Sequence, residues 1–190
     1  GLAAAEWREA LRACKGMALR SEVYGLDGTT DESIPYAITQ NACEIRRLQP
    51  RADNRHAVFQ VIDSQFLTLQ LDRRPLDPRV SHQLTLQTDA YGHPLVSATV
   101  GYPRRISDPD IPEAVRAEQA KTHIVITHID YTDDVYGPLA QGIGTEPSDA
   151  PYRLPVPWKT ATYALSGLTS SADALCRQDA ILSAFNDADG

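Results

Sequence analysis

The side chains able to do covalent or metal chemistry are few: three cysteines, Cys14, Cys43 and Cys176, and five histidines. A catalytic thiol must be ionised by a neighbouring base or cation, and the pairing this sequence offers is Cys43 with His56. Against it, Cys14 falls on the apolar side of a helix-patterned segment and Cys43 inside a strand-patterned one, where cysteine is ordinarily a small buried hydrophobe. An odd number of thiols with no Cys-x-x-Cys pair encodes neither a disulfide framework nor a zinc ribbon, so reduced cysteines are expected. His123 and His128 lie five positions apart, which on a strand sends them to opposite faces and separates them as metal ligands. His128 and Asp130 do share a face and could hold a cation together, although a solvated or core-edge pair is the ordinary reading. Asp130, Asp133 and Asp134 crowd carboxylates as calcium sites do, but the Asp-x-Asp-x-Asp-Gly loop and its distal glutamate are missing, so a turn with water-exposed acids is expected. No Gly-x-Ser-x-Gly elbow, phosphate-binding glycine loop or His-Glu-x-x-His motif occurs. Gly142-Ile143-Gly144 is too short and too isolated to be a nucleotide signature. The expectation is a chain with no catalytic residue, no cofactor and no metal. Two basic pairs, Arg46-Arg47 and Arg104-Arg105, either bridge acids on neighbouring strands or guard exposed strand edges.

Composition narrows the partners. A net charge of -7 over 190 residues opposes binding to a phosphate backbone, which depends on clustered positive charge, so nucleic acid is excluded. No apolar run approaches the roughly 18 residues of a spanning helix, and the first residues lack a basic region before a long apolar stretch. Neither direct membrane insertion nor a signal peptide within this chain is expected. Of thirteen prolines, eight gather between residues 103 and 157, which should be loop-rich.

Strands must position most of these residues. Residues 3–15 place Ala3, Trp7, Ala10, Leu11 and Cys14 at helical spacing before Gly16, a helix with an apolar side. Strand patterns follow across 18–132: Ala18 to Tyr24, Pro35 to Leu48, and Ala57 to Leu71 with a hairpin break expected at Asp63-Ser64. From Val80 to Arg105, Leu84 and Leu86 alternate with polar neighbours, then Val96, Ala98, Val100 and Tyr102 do the same. Between them Asp89, Tyr91 and Gly92 form a structural turn, and Gly92 should adopt positive φ. Asp110 with Glu113 has capping-box spacing and opens a short helix from Ile111 to Ala120. Thr122 to Tyr131 reads as a strand buried on both faces, residues 133–157 as an irregular loop, and 158–165 as a last strand. Ser170 to Asp173 should open a C-terminal helix bearing Leu175, Ile181, Leu182 and Phe185. The division is a region over 1–168 and a helix over 169–190.

Several runs carry a family resemblance. Leu19-Arg20-Ser21-Glu22-Val23-Tyr24-Gly25-Leu26-Asp27-Gly28, Asn54-Arg55-His56-Ala57-Val58-Phe59 and Asp77-Pro78-Arg79-Val80-Ser81-His82-Gln83-Leu84-Thr85-Leu86 resemble the B component of bacterial insecticidal toxin complexes (Tc toxins), in its middle-to-C-terminal region. Asp89-Ala90-Tyr91-Gly92, Val100-Gly101-Tyr102-Pro103-Arg104-Arg105, Thr122-His123-Ile124-Val125-Ile126-Thr127, Asp130-Tyr131-Thr132-Asp133-Asp134 and Tyr152-Arg153-Leu154-Pro155-Val156-Pro157-Trp158 continue the match in order, from about Trp7 to Leu168. The resemblance implies a mainly β fold: antiparallel hairpins of an RHS (YD-repeat) shell with short flanking helices. It implies a structural role, part of a shell that encloses a toxic effector polypeptide and helps deliver it, with the C and A components of the complex as partners and an extracellular location. The repeat turn of such shells has the form Tyr-Asp-x-x-Gly. Here Thr88 stands where the tyrosine would be, ahead of Asp89-Ala90-Tyr91-Gly92. Two other classes remain open from the residues alone: an adhesion or carbohydrate-binding β domain, which an exposed aromatic cluster would favour, and a fused effector enzyme, which a pocket with clustered pKa-shifted residues would favour.

Overall fold

Period-two alternation of apolar and polar side chains dominates the chain, and the structure, a computed structural model that describes residues 1–136, 152–170 and 174–188, is accordingly built on one sheet. In chain order the elements are α1 (Ala4–Ala13), β1 (Arg20–Val23), β2 (Ala37–Gln49), β3 (Val58–Gln70), β4 (Arg79–Thr88), β5 (Pro94–Gly101), α2 (Glu113–Gln119), β6 (His123–Tyr131), β7 (Val135–Tyr136), β8 (Tyr152–Arg153), β9 (Pro157–Leu165) and α3 (Gln178–Ala188). Seven strands pair in the order β1-β2-β3-β4-β5-β6-β9, antiparallel throughout, and β7 with β8 makes a small ribbon within the stretch expected to be loop. The fold is mainly β with short helices, as the sequence implies.

One face of the sheet carries the core. Val80 and Leu84 of β4, Val96, Ala98 and Val100 of β5, and Ile124 and Ile126 of β6 are buried together with Tyr102, under Ile181 and Phe185 of α3. Neighbouring strands bring these positions side by side, since Leu84 pairs with Ala98, and Ala98 with Ile126. Residues one step along each strand point the other way, to a face of Ser81, Gln83 and Thr99 that is exposed. That asymmetry corrects the reading of β6 as buried on both faces. Val125 is 40% exposed while Ile126 is fully buried, because α3 covers only one side.

Four other boundaries differ from expectation. Asp63-Ser64 does not turn the chain; β3 runs through it, and Ser64 is the extra residue of a β-bulge between the Ala42–Gln65 and Cys43–Asp63 pairs. A polar pair resembling a turn is absorbed by one unpaired residue. Asp110 does not cap α2: Pro112 is the N-cap residue, without a side-chain cap, and the Asp110 N–H instead donates to the Asp108 carboxylate at 3.0 Å. The C-terminal helix begins at Gln178, not at Ser170 to Asp173, of which 171–173 lie outside the described residues. Cys176 is still non-helical there, because its N–H donates to the Tyr102 hydroxyl at 2.9 Å, and Leu175 is left 42% exposed. Finally, α1 forms where expected but only part of its apolar side packs inward: Ala10 is buried together with Glu6, while Trp7 and Leu11 are 54% and 65% exposed.

Since Ile181 contributes a fully buried side chain to the only helix over the core among the described residues, Ile181→Ala should cost about 3 kcal/mol of unfolding free energy through lost transfer energy and a cavity. Urea unfolding with an unchanged m-value checks this, and a change below about 1 kcal/mol contradicts the packing described.

Candidate functional site

The hairpin between β4 and β5 ends in a turn organised by one carboxylate. The Asp89 side chain accepts hydrogen bonds from the backbone N–H groups of Tyr91 and His93, each at 2.8 Å, and its other oxygen meets His93 Nδ1 at 2.9 Å. Burial alone would raise the Asp89 carboxyl; the His93 ring and these N–H donors outweigh it and hold the group below its ordinary value. The loop is closed by the Asp89 N–H donating to the His93 carbonyl at 3.0 Å and the Gly92 N–H donating to the Asp89 carbonyl at 3.2 Å. Gly92 has φ +88°, and a Cβ there would stand 2.7 Å from Gln60 Nε2, which itself donates to the Tyr91 carbonyl. The Tyr91 hydroxyl reaches the Asp134 carboxylate, and the His93 ring stacks on Tyr131 with centroids 5.1 Å apart. Asp89, Tyr91 and Gly92 thus lock a turn against the end of β6. Among the described residues the arrangement offers no activated nucleophile.

The thiols are placed otherwise than the sequence reading paired them. His56 Nδ1 meets the Glu9 carboxylate at 2.9 Å, whereas Cys43 faces Cys14, sulfur to sulfur at 3.7 Å. Burial, and then Cys14 and the Asp63 carboxylate, push the Cys43 thiol upward, the opposite of what a nucleophile needs. His128 Nε2 and Asp130 approach at 3.6 Å, but Asp130 also pairs with Lys159 at 3.4 Å. Among the described residues no group of three His, Cys, Asp or Glu is placed to hold a metal ion. Gly142-Ile143-Gly144 lies outside the described residues.

The arginine pairs bridge elements. Arg47 reaches Glu6 of α1 at 3.1 Å, and Arg46 reaches Thr88 Oγ1 at 3.2 Å near the hairpin tip. Arg104 pairs with Asp77, whose other oxygen accepts the Arg105 N–H at 2.8 Å. Glu6 accepts the Arg51 N–H at 2.9 Å, and Glu9 the Ala57 N–H at 2.9 Å, so two carboxylates on one side of α1 fasten it to the loop between β2 and β3. The Glu6 carboxyl is held below its ordinary range, first by the Arg51 N–H, then by the Ala3 N–H and the Arg47 guanidinium.

One buried polar cluster escaped the sequence reading. His82 is 2% exposed between Val80 and Leu84. Its Nδ1 lies 3.1 Å from the Tyr102 hydroxyl and its Nε2 3.1 Å from Gln65 Oε1. Burial first of all pushes Tyr102 up to about 12, so its hydroxyl keeps its proton, accepts the Cys176 N–H and donates to His82 Nδ1. That leaves Nε2 of a neutral ring to donate to Gln65. The signal was present: a histidine in register with Val80 and Leu84 on an alternating strand must share their burial.

A family model described as the insecticide toxin TcdB middle/C-terminal region matches residues 9–132, more than half of the chain. The chain belongs to this family. Its fold is similar to a part of the crystal structure of TcdB2-TccC3, with TM-score 0.66 and 26% identity over 90% of this chain and 8% of that one. It is similar in the same way to the Tc holotoxin pore of Photorhabdus luminescens, with TM-score 0.67, 26% identity, and coverage of 90% and 8%. A TcdB2-TccC3-TEV structure matches at 31% identity and TM-score 0.54 over 65% of this chain and 6% of that one. The chain therefore spans less than a tenth of the length of these solved chains. No curated protein matches it. Within this TcdB region the matched residues include the hairpin tip, the α1 anchor at Glu9, and His82 with Gln65 and Tyr102, while Cys176 and α3 lie beyond them.

Two measurements follow from this geometry. Gly92→Val forces a β-branched side chain into positive φ against Gln60, and should destabilise by about 2 kcal/mol in chemical denaturation, with no such cost for Ala90→Val on the exposed side of the turn. Burial holds the His82 ring below its ordinary value of 6.5, so below that pH the unfolded chain binds the proton that the folded chain refuses. Stability from this group is complete above pH 6.5 and falls as pH drops through the window beneath it. The urea midpoint should decline between pH 6.5 and 5.5 more steeply in the parent than in His82→Gln; equal slopes contradict the assignment.

Proposed function

We propose that this chain is a piece of the wall of a closed β shell, the B component of an insecticidal toxin complex, and that it acts by shape and not by catalysis. The family match over residues 9–132 carries this reading. The fold supports it in two ways. A single broad sheet covered by helix on part of one face leaves large apolar side chains exposed on its strands, among them Val58, Phe66, Val125, Trp158 and Tyr163, as surface for neighbours. Both outer strands also keep one free side among the described residues, β1 at one margin and β9 at the other, as a wall segment requires for continuation into further strands.

In this reading the neighbours are RHS-type hairpins of the same shell. The C and A components are the assembly partners, the enclosed effector polypeptide is the cargo, and the complex works outside the producing cell. Residues 1–168 supply the wall, and residues 169–190 supply the helix that covers its core. The absence of chemistry is part of the proposal. The carboxylates of the hairpin tip and of α1 are spent on backbone donors and cations, and burial pushes the Cys43 thiol up.

Exchanging this chain for the matching segment of a TcdB2-type B component, and assembling the chimera with its C component, tests the proposal. The enclosed polypeptide should remain resistant to added protease. A chimera that folds and pairs with the C component but leaves the polypeptide open to cleavage overturns the wall assignment, and hydrolase or transferase turnover by the purified chain overturns the non-catalytic one.

A further inference from the structure

Cys14 is the residue that ends α1, and Cys43 lies on β2 beside the bulge made by Ser64. Their sulfurs are 3.7 Å apart although the residues are twenty-nine positions apart in sequence. A disulfide needs about 2.05 Å between sulfurs, so the gap to be closed is about 1.7 Å. Both side chains are only half-buried, which admits a small oxidant. The chain just after Cys14 can yield, since Gly16 has φ +92° and open space around it. Among the described residues, the hydrogen bonds and ion pairs that fasten α1 to the sheet region come from Glu6 and Glu9, toward its beginning and middle. The end of the helix rests on Cys14 facing Cys43.

We propose that Cys14 and Cys43 form a redox modification site, joined into a disulfide by a low-molecular-weight disulfide oxidant such as oxidised glutathione and reopened by a thiol reductant, so that the end of α1 is pinned to β2 in one state and released in the other. The thiolate of Cys14 attacks one sulfur of the oxidant, forming a mixed disulfide and expelling one glutathione thiolate. Cys43 acts second. After losing its proton to solvent it attacks the Cys14 sulfur, forming the Cys14–Cys43 bond and expelling the second glutathione thiolate. Two electrons pass from the protein thiols to the oxidant, and two protons leave with the two glutathione products. Cys176 stands apart, with its backbone N–H bound to Tyr102 on the core side of the sheet. The cross-link closes the stretch that contains β1, restricting the unfolded chain far more than the folded one.

Incubating the purified chain with oxidised glutathione, then counting free thiols and mapping peptides under non-reducing conditions, tests this. Free thiols should fall from three to one, with a single linked peptide pair containing Cys14 and Cys43 and with Cys176 still titratable. The Tm should rise by about 10 °C and return with dithiothreitol. A double variant, Cys14→Ser with Cys43→Ser, should show no oxidant-dependent shift. Separate glutathione adducts on Cys14 and Cys43, a link through Cys176, or a Cys14–Cys43 link that leaves the Tm unchanged each overturn the proposal. The thiol count and peptide map on the parent chain decide it even where the serine variants fold poorly.

Discussion

The inward side chains of β4, β5 and β6 meet Ile181 and Phe185 of α3, and the rest of the sheet takes its place by hydrogen-bonded register from those three strands. Cohesion is therefore uneven. Val100, Ile126 and Ile181 are fully buried, whereas β1 is exposed at all four positions and β9 at most of its length. β2 and β3 lie between these extremes. Each is thirteen residues long and mostly half-buried, held by backbone pairing along its length more than by a core of its own. In such a sheet a ladder hydrogen bond exposed to water contributes modestly, so the outer strands depend on neighbours to gain what the centre gains from apolar burial.

Where α3 enters the core, a polar cluster sets its position. Gln65, His82 and Tyr102 form a chain of hydrogen bonds through the apolar layer, and the last acceptor takes the Cys176 N–H. Buried polar groups without partners are costly, so sliding the segment before α3 by one residue would strand the Tyr102 hydroxyl or leave an apolar contact unmade. Hydrophobic contact supplies most of the attraction here, and the hydrogen bonds choose the register. A histidine kept neutral by burial then makes that choice sensitive to mild acid.

Legibility in the sequence followed the range of the interactions involved. The β4–β5 hairpin was readable because alternation on both sides and the Asp89-Ala90-Tyr91-Gly92 turn are local signals that agree. The same local logic misled at Asp63-Ser64, since a bulge and a turn draw on the same polar residues and only the partner strand distinguishes them. It was incomplete at α1, where helical spacing grouped Trp7 and Leu11 on one apolar side with Ala10 and Cys14, of which Ala10 is buried and Trp7 and Leu11 are exposed. What decided the orientation was a loop more than forty residues away, whose N–H groups lacked partners until Glu6 and Glu9 supplied them. The nearness of Cys14 to Cys43 depends on that docking and was beyond any spacing rule. The family resemblance, by contrast, was visible because it is spread over many short runs, and it needed no knowledge of which side any helix buries.

The way α1 is held bears on how this region can change over time. Its two carboxylates bind the main-chain N–H groups of Arg51 and Ala57, and these donors are present whatever side chain occupies either position, proline excepted. Apart from His56, whose ring also meets Glu9, the loop from Pro50 to Ala57 can thus vary in composition while continuing to offer the same two donors at the same spacing, and the constraint falls instead on Glu6, Glu9 and the loop's length. A deletion of one residue there would misplace a donor that no substitution elsewhere in the loop could restore.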